Sequence, residues 1–219
     1  MTKSIELKQQ YFFECLSQSV VDMDEKQAKK IAKMIINESM DCNKAIEIGL
    51  SGGMARVGTL YETGEYFIPD LLVCADVVQE AMTVLRTGLI QNPLSKGRVV
   101  IGTIFGDTHD LGKNIVILFL MSAGYEVLDL GKDVSARSFV DEAVKWKADI
   151  IAISTLMTTC MKNIKDVIDL LITENKRKQF RIIIGGKPVS FNFATIIGAD
   201  GYAENAVQTV KLLDTIFSK

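Results

Sequence analysis

The chain has 219 residues, with 25 basic and 27 acidic side chains and a formal net charge of -2 at pH 7. These charges are scattered along the sequence, which argues against the strongly basic face of a protein that binds nucleic acid or an anionic membrane. Apolar residues make up 48% and prolines number only three, so the composition is typical of a globular protein rather than a disordered one.

The cysteines and the N-terminal stretch bear on the compartment. Cys15, Cys42, Cys74 and Cys160 are far apart and form no Cys-x-x-Cys pair. The opening stretch MTKSIELKQQ contains no apolar run of the kind found in secretory signals. No segment reaches the roughly 18 consecutive apolar residues of a membrane-spanning helix. We therefore expect reduced thiols in a cytoplasmic protein that crosses no membrane.

Apolar side chains in residues 1–91 recur at spacings of three and four, the period of helices with one buried face. Asp24 is a good N-cap for the second helix, and Pro69 suits the first turn of the last one. Helices joined by short connections predict a four-helix bundle. The expected buried positions are Leu7, Tyr11, Cys15 and Leu16, then Ala28, Ile31, Ala32 and Ile35, then Ala45, Ile48, Met54, Val57 and Leu60, and finally the segment 71–85.

After a linker at residues 92–97, the pattern changes to β-branched runs that alternate with amphipathic segments. Strands that are apolar on both faces and separated by helices predict a parallel sheet with right-handed crossovers. Residues 98–219 are therefore expected to form a five-stranded, flavodoxin-like (Rossmann-type) α/β domain that binds its ligand at the C-terminal strand ends. The predicted strands are 99–104, 126–130, 150–154, 181–184 and 201–203, and the predicted helices are 112–123, 135–147, 161–175, 191–197 and 206–217.

The single histidine of the chain, His109, lies in the expected loop after the first strand. Asp107, two residues earlier, could accept a hydrogen bond from one ring nitrogen and leave the other as a lone-pair donor. This arrangement is typical of an imidazole that binds a metal. Zinc in proteins takes three or four His, Cys or carboxylate ligands, and no second histidine is available. A metal at His109 would therefore need a cofactor that brings most of its ligands.

Two other interpretations of the strand-end loops are weaker. A phosphate-binding loop needs Gly-x-x-x-x-Gly-Lys-Ser/Thr or Gly-x-Gly-x-x-Gly, and the stretch DLGKN has the glycine and the lysine without either spacing. A response-regulator domain needs a phosphoryl-accepting carboxylate after the third strand, where this chain has Ser154 and Thr155. The first interpretation fails on spacing, and the second fails at the residue that would carry the chemistry.

Asp107, His109 and Gly112 form an Asp-x-His-x-x-Gly motif, and STL at 154–156 and GG at 185–186 follow at later strand ends. This set resembles the cobalamin-binding module of methionine synthase and of the small corrinoid proteins of methyltransferase systems. The stretch AIEIGLSGGMARVGTLYETGEYFIPDLL, residues 45–72, is similar to the helical cap domain that precedes the module in this family. The resemblance implies a cap at 1–91 and a cobalamin-binding domain at 98–219.

The resemblance also implies roles for individual residues. His109 would be the lower axial ligand of cobalt, in a base-off, His-on arrangement, with Asp107 as its hydrogen-bond partner. The loop beneath the corrin would also contain Gly106, Thr108, Asp110 and Gly112. The displaced nucleotide tail of the cofactor would lie against Ser154, Leu156, Thr158, Gly185, Gly186, Tyr202, Glu204 and Ala206.

Three residues of the cap match positions that face the cofactor in this family: Tyr61 and Ile68 would cover the upper face of the corrin, and Glu47 would contact it. One position departs from methionine synthase, where a serine extends the Asp and His pair into a relay. The matching residue here is Cys160, and a thiol is a poor hydrogen-bond donor. We therefore expect weaker proton coupling to His109, or coupling through Thr159 or water.

The function that the resemblance implies is that of a non-catalytic corrinoid subunit in one-carbon metabolism. It would carry a methyl group, between Co(I) and methyl-Co(III) states, from a substrate:corrinoid methyltransferase to a second methyltransferase. A corrinoid-reactivating protein would be a further partner. The alternative is a cobalamin-sensing regulator built from the same two domains, although no DNA-binding domain or basic face is visible. A mutase subunit is a third option, which the cap stretch disfavours.

Overall fold

The computed structural model describes residues 2–89 and 95–217, which form two compact units. One unit is helical, and the other consists of a five-stranded sheet with flanking helices. Positions 92–94 of the linker expected at residues 92–97 lie outside the described residues. Within the described ranges, no helix combines the length and the apolar character needed to cross a bilayer. All four cysteines are free thiols.

The helical unit follows the predicted order of segments. Its helices are α1 (Thr2–Val21), α2 (Glu25–Asn37), α3 (Cys42–Lys44), a π-helix (Ala45–Ser51), α4 (Gly52–Glu62) and α5 (Ile68–Arg86). Asp24 caps α2 by accepting a hydrogen bond from the Gln27 amide, as predicted, and Pro69 lies in the first turn of α5. The predicted buried face of α2 is confirmed at Ala28, Ile31, Ala32 and Ile35.

The predicted buried face of α1 is wrong in part. Leu7 and Tyr11 are 63% and 66% exposed, while Leu16 and Val20 are fully buried. The observed face is the one that packs on two glycines of the next helices. A Cβ added to Gly49 would lie 2.8 Å from Leu16 Cδ2, and one on Gly53 would lie 2.9 Å from Val20 Cβ. These glycines let α1 approach more closely than any other residue would allow.

The π-helix explains a second error in the helical unit. Ile48 was expected in the core but is 46% exposed, whereas its neighbours Ile46 and Leu50 are buried. A π-helix forms hydrogen bonds five residues apart rather than four, so it rotates the following positions relative to an α-helix. The α-helical period assumed for this stretch therefore assigned Ile48 to the wrong side.

The second unit confirms the flavodoxin-like prediction. Its five strands are all parallel, in the order β2-β1-β3-β4-β5. The strands are β1 (Arg98–Thr103), β2 (Glu126–Asp129), β3 (Ile150–Ser154), β4 (Arg181–Gly185) and β5 (Gly201–Ala203). The helices are α6 (Leu111–Ser122), α7 (Ala136–Trp146), α8 (Met161–Thr173), α9 (Phe191–Ile197) and α10 (Ala206–Phe217), with 3₁₀ turns at Thr158–Cys160 and Arg177–Gln179.

The central strands are buried on both faces because their residues are almost all Val, Ile or Ala. One face packs on α7 and α8, where Phe139 and Ile164 are fully buried. The parallel register aligns the last residues of four strands in one row: Thr103 pairs with Ser154, Ser154 with Gly185, and Gly185 with Ala203. The loops that follow this row carry most of the predicted site residues, so the sheet brings together segments up to 100 positions apart in sequence.

Candidate functional site

The candidate site lies where the loops after β1 and β3 meet. In the observed strand order, β1 and β3 are neighbours whose following connections lead to opposite sides, which is the position where open α/β sheets bind ligands. The loop after β1 carries Asp107 and His109, and the loop after β3 carries Thr155, Leu156 and Met157.

Asp107 holds the imidazole of His109 in one orientation. His109 Nδ1 lies 2.7 Å from Asp107 Oδ1, and the backbone amide of His109 donates to the same oxygen at 2.9 Å. The Asp107 side chain is fully buried, whereas that of His109 is 57% exposed. The predicted Asp–His hydrogen bond is therefore present, with the ring presented to solvent.

The second carboxylate oxygen of Asp107 is held from β3. Oδ2 accepts hydrogen bonds from Thr155 Oγ1 at 2.6 Å and from the backbone amides of Leu156 and Met157 at 2.7 and 3.2 Å. Burial alone would raise the pKa of Asp107. The hydrogen bonds from the Thr155 hydroxyl, from the backbone amides of His109 and Leu156 and from the His109 ring outweigh burial and hold the pKa well below its ordinary value. Asp107 is therefore an ionised carboxylate that can only accept.

The ionised state of Asp107 decides the tautomer of His109. Because the carboxylate has no proton to give, the hydrogen in the 2.7 Å contact belongs to His109 Nδ1. In the neutral ring Nε2 then carries the lone pair. Since the side chain is more than half exposed, Nε2 is available to an external ligand.

The loop that carries His109 is fixed from several sides. Gly106 has φ +86°, which favours glycine, and its amide donates to Asp133 Oδ1 at 2.7 Å. Asn163 Nδ2 donates to the Phe105 carbonyl at 2.8 Å. Lys113, buried in the first turn of α6, pairs at 2.6 Å with Asp129. The loop is thus held in place by contacts within the chain.

The donor set does not suit a metal held by protein alone. In the described ranges, no group of three or more His, Cys, Asp or Glu side chains could hold an ion. Four large apolar side chains are instead exposed on the loop that carries His109, at the first residue of α6 and on the loop after β3. They are Phe105 (55% exposed), Leu111 (54%), Leu156 (46%) and Met157 (36%). One imidazole with an apolar surround fits a metal whose remaining ligands come from a broad, largely apolar macrocycle.

The other residues predicted in this loop are near the surface. Thr108 is exposed and Asp110 is half-buried. A Cβ added to Gly112 would meet nothing within 4 Å, so packing within the chain does not require glycine there. Sequence reasoning missed Phe105, Leu111 and Met157, whose only signal was that they flank the motif residues.

The residues predicted to hold the nucleotide tail all lie at the C-terminal ends of β3, β4 and β5. Ser154 and Gly185 belong to the aligned row of strand ends. Burial and the nearby Glu204 carboxylate raise the pKa of Tyr202. Packing within the chain also favours glycine at positions 185 and 186. Gly186 has φ +115°, and a Cβ there would overlap the Thr155 carbonyl oxygen. The remaining members of this set are Leu156, Thr158, Glu204 and Ala206.

The three predicted residues of the helical unit occupy less constrained positions. Glu47 lies on the π-helix and is exposed, so it is not a buried carboxylate. Tyr61 and Ile68 are half-buried, near the end of α4 and at the start of α5.

Cys160 is buried in the 3₁₀ turn after β3. Its sulfur lies 3.8 Å from Thr159 Oγ1 and next to Gly106, where an added Cβ would be 3.1 Å away. The hydroxyl that reaches Asp107 belongs to Thr155 instead. Sequence reasoning missed Thr155, although a threonine directly after a buried strand was a usable signal.

Comparison with known families agrees with this geometry. Residues 13–86 and residues 97–211 match two family models, each described as a B12 binding domain. The fold and the exposed, carboxylate-bound imidazole thus define a cobalamin-binding protein.

Relatives and solved structures narrow the class. The chain is 37% identical over 208 residues to a corrinoid protein of Desulfitobacterium hafniense, covering 93% of this chain and 96% of the relative. It is 43% identical over 175 residues to dimethylamine corrinoid protein 2 of Methanosarcina acetivorans, covering 79% and 81%. The methanol:cobalamin methyltransferase complex of Methanosarcina barkeri matches with a TM-score of 0.82 at 30% identity, covering 95% of this chain and 80% of that one. The chain belongs to the cobalamin-binding corrinoid proteins of methyltransferase systems, and its cofactor is a corrinoid.

Proposed function

We propose that the chain is a methyl carrier that binds its corrinoid base-off and His-on, with His109 Nε2 as the lower axial ligand of cobalt. The observation that carries this proposal is the His109 ring itself: Nδ1 is bound by an ionised Asp107, and the side chain is 57% exposed. A bound corrinoid supplies the chemistry, because its cobalt takes up a methyl group when reduced and gives it up when methylated.

The surroundings of His109 support binding of a macrocycle. Phe105, Leu111, Leu156 and Met157 would bury apolar surface against it, at roughly 25 cal/mol for each Å² removed from water. The glycine at 112 leaves open space at the start of α6, which an external group can fill. Gly106, Thr108 and Asp110 complete the loop beneath the ring.

The displaced nucleotide tail would then follow the C-terminal ends of β3, β4 and β5. The hydroxyls of Ser154 and Thr158 are suited to donate hydrogen bonds to it, and Leu156 would pack against it. Gly185 and Gly186 leave room for it on the other side, and Tyr202, Glu204 and Ala206 lie at the far strand end. These assignments rest on the family resemblance together with the alignment of the strand ends.

The helical unit would protect the methyl group. We assign Tyr61 and Ile68 to the upper face of the corrin and Glu47 to a contact with the cofactor, on the resemblance alone. A cap must move aside for transfer, so the division into a cap at residues 1–91, a linker at 92–97 and a cobalamin-binding domain at 98–219 is part of the proposal.

The partners are proposed from the relatives. One relative is a dimethylamine corrinoid protein, and a solved structure contains a corrinoid protein together with a methanol methyltransferase. We infer that this chain receives its methyl group from a methyltransferase that acts on a small methylated amine or alcohol. It would deliver the group to a second methyltransferase in the cytoplasm, and a reactivating protein would restore the reduced state.

Methyl transfer with separate partners tests this function. The cobalamin-loaded chain is reduced and mixed with a methylamine or methanol methyltransferase, and the conversion of the reduced to the methylated spectrum is followed. The expected result is methylation that depends on partner and substrate and that Lys145→Ala, an exposed site on α7, leaves unchanged. A loaded chain that no such partner methylates would contradict the carrier and favour a cobalamin sensor.

A further inference from the structure

The buried carboxylate of Asp107 receives hydrogen bonds from two side chains. His109 donates its ring Nδ1 to Oδ1, and Thr155 donates its hydroxyl to Oδ2 at 2.6 Å. The other donors to this carboxylate are the backbone amides of His109, Leu156 and Met157. Thr155 therefore supplies the side-chain donor to the carboxylate oxygen that the imidazole does not contact.

We propose that Thr155 is a positioning residue that fixes the Asp107 carboxylate and, through it, the orientation and tautomer of His109. This role rests on the proposed function in so far as His109 binds cobalt. It assigns to residue 155 the hydroxyl that the family resemblance led us to expect at position 160.

The geometry commits the Thr155 hydroxyl to Asp107. The hydroxyl has a single proton, and Asp107 Oδ2 is at 2.6 Å whereas the alternative acceptor, the Met157 carbonyl, is at 3.3 Å. The Met157 amide donates to Thr155 Oγ1 at 3.2 Å and so occupies a lone pair of that oxygen. With the side chain fully buried, no water competes for the proton.

The backbone of Thr155 is held as tightly as its side chain. Its amide donates to the Gly185 carbonyl at 3.2 Å, and its carbonyl oxygen occupies the space where any side chain on Gly186 would begin. β4 therefore fixes Thr155, which in turn fixes Asp107. This chain of contacts gives the two glycines a function apart from contact with the nucleotide tail.

Cys160 does not supply the equivalent contact. Its sulfur packs beside Gly106 and contacts the Thr159 hydroxyl at 3.8 Å. A thiol is in any case a weak donor to a carboxylate. Cys160 therefore serves as a matched control, since it is buried in the same loop as Thr155.

The test uses the full chain in two states. In the cofactor-free protein, NMR of the imidazole nitrogens reports the tautomer directly, because the chain has one histidine. Thr155→Val keeps the shape and removes the hydroxyl, so the Asp107 carboxylate is held less firmly against the ring, and we expect the ratio of the Nδ1–H to the Nε2–H tautomer to fall by a few-fold. Thr155→Ser should retain the wild-type ratio, and so should Cys160→Ala.

The second state is the cobalamin-loaded protein, in which the fraction with histidine bound to cobalt is read from the electron paramagnetic resonance spectrum. Thr155→Val should shift the bound-to-free ratio by a similar factor, while circular dichroism verifies that the variant is folded. An unchanged tautomer ratio in folded Thr155→Val, or an equal change in Cys160→Ala, would overturn the role. Because the NMR measurement needs no cofactor, failure of the wild type to bind cobalamin would contradict the proposed function and leave the test of Thr155 intact.

Discussion

The two units of the chain hold their predicted site residues in different ways. In the sheet unit, Asp107 and His109 are fixed by hydrogen bonds that the chain completes on its own. In the helical unit, Glu47 is exposed and Tyr61 and Ile68 are half-buried near helix ends. The comparison indicates that contacts within the chain organise the half of the proposed site that would bind the metal, whereas the residues of the proposed covering half are less constrained.

Gly186→Ala should give the largest loss of stability, because it crowds Thr155 in the organised half of the proposed site. The new Cβ would overlap the Thr155 carbonyl oxygen, and the residue would keep a φ of +115°. We expect the free energy of unfolding to fall by about 4 kcal/mol, measured by urea denaturation of the cofactor-free protein. Gly198→Ala is the matched control, with a φ of +81° and open space around its Cβ, and should cost about 1 kcal/mol. Equal losses would show that crowding of Thr155 is unimportant.

Asp107→Asn should have the next largest effect on stability. It removes a charge that five donors stabilise, so we expect a loss of about 2 kcal/mol at pH 7. The folded-state pKa of Asp107 is lowered, so its stabilisation is present above the unfolded pKa of about 3.9 and is lost as the pH falls towards the folded value.

The difference between wild type and Asp107→Asn should therefore shrink in urea titrations below about pH 4. Asp141→Asn, at an exposed ion pair on α7, should change stability by less than about 0.5 kcal/mol at either pH. A difference in the free energy of unfolding between Asp107→Asn and wild type that does not change with pH would contradict an ionised Asp107.

Gly112→Ala separates folding from cofactor binding. The added Cβ meets open space and lies in a helix, so the cofactor-free protein should be as stable as wild type or more stable by about 0.5 kcal/mol. If the corrin lies against this backbone, its affinity should fall by about tenfold, the equivalent of 1.4 kcal/mol. Titration with hydroxocobalamin measures this, and an unchanged affinity would mean that the macrocycle lies elsewhere.

Glu47→Gln probes the covering half and should give the smallest effect. Because Glu47 is exposed, the free energy of unfolding should change by less than about 0.5 kcal/mol. A contact with the cofactor would weaken methylcobalamin binding by a few-fold, whereas Asp76→Asn, an exposed carboxylate on α5, should leave it unchanged. Identical affinities for both variants would remove Glu47 from the site.

The sequence predicted the sheet unit closely, because local patterns determine it. Runs such as 150–154 are apolar on both faces, and four of the five strands begin at the predicted residue. In the helical unit, α1 offers overlapping apolar stripes, and only the long-range fit of Leu16 against Gly49 decides between them. The exposure of Ile48 follows from a π-helix, which a period of 3.6 residues does not predict.

The contacts of the site likewise differ in how far the sequence could predict them. Asp107 and His109 are two residues apart, so their contact could be inferred from spacing and residue chemistry. Thr155 is 48 positions from Asp107, and its hydroxyl reaches the carboxylate only because β1 and β3 pair in register. The motif comparison directed attention to Cys160, whereas the fold brings the hydroxyl from the neighbouring strand end.

The central claim is that His109 Nε2 binds the cobalt. The most direct measurement is the electron paramagnetic resonance spectrum of the one-electron-reduced cobalamin complex, prepared with ordinary and with ¹⁵N-labelled histidine. Because the chain has one histidine, the account predicts wild-type nitrogen splitting that changes from a triplet to a doublet with the label, whereas any splitting left in His109→Ala comes from the cofactor's own base and does not respond to the label. Wild-type splitting that ignores the label would contradict the account.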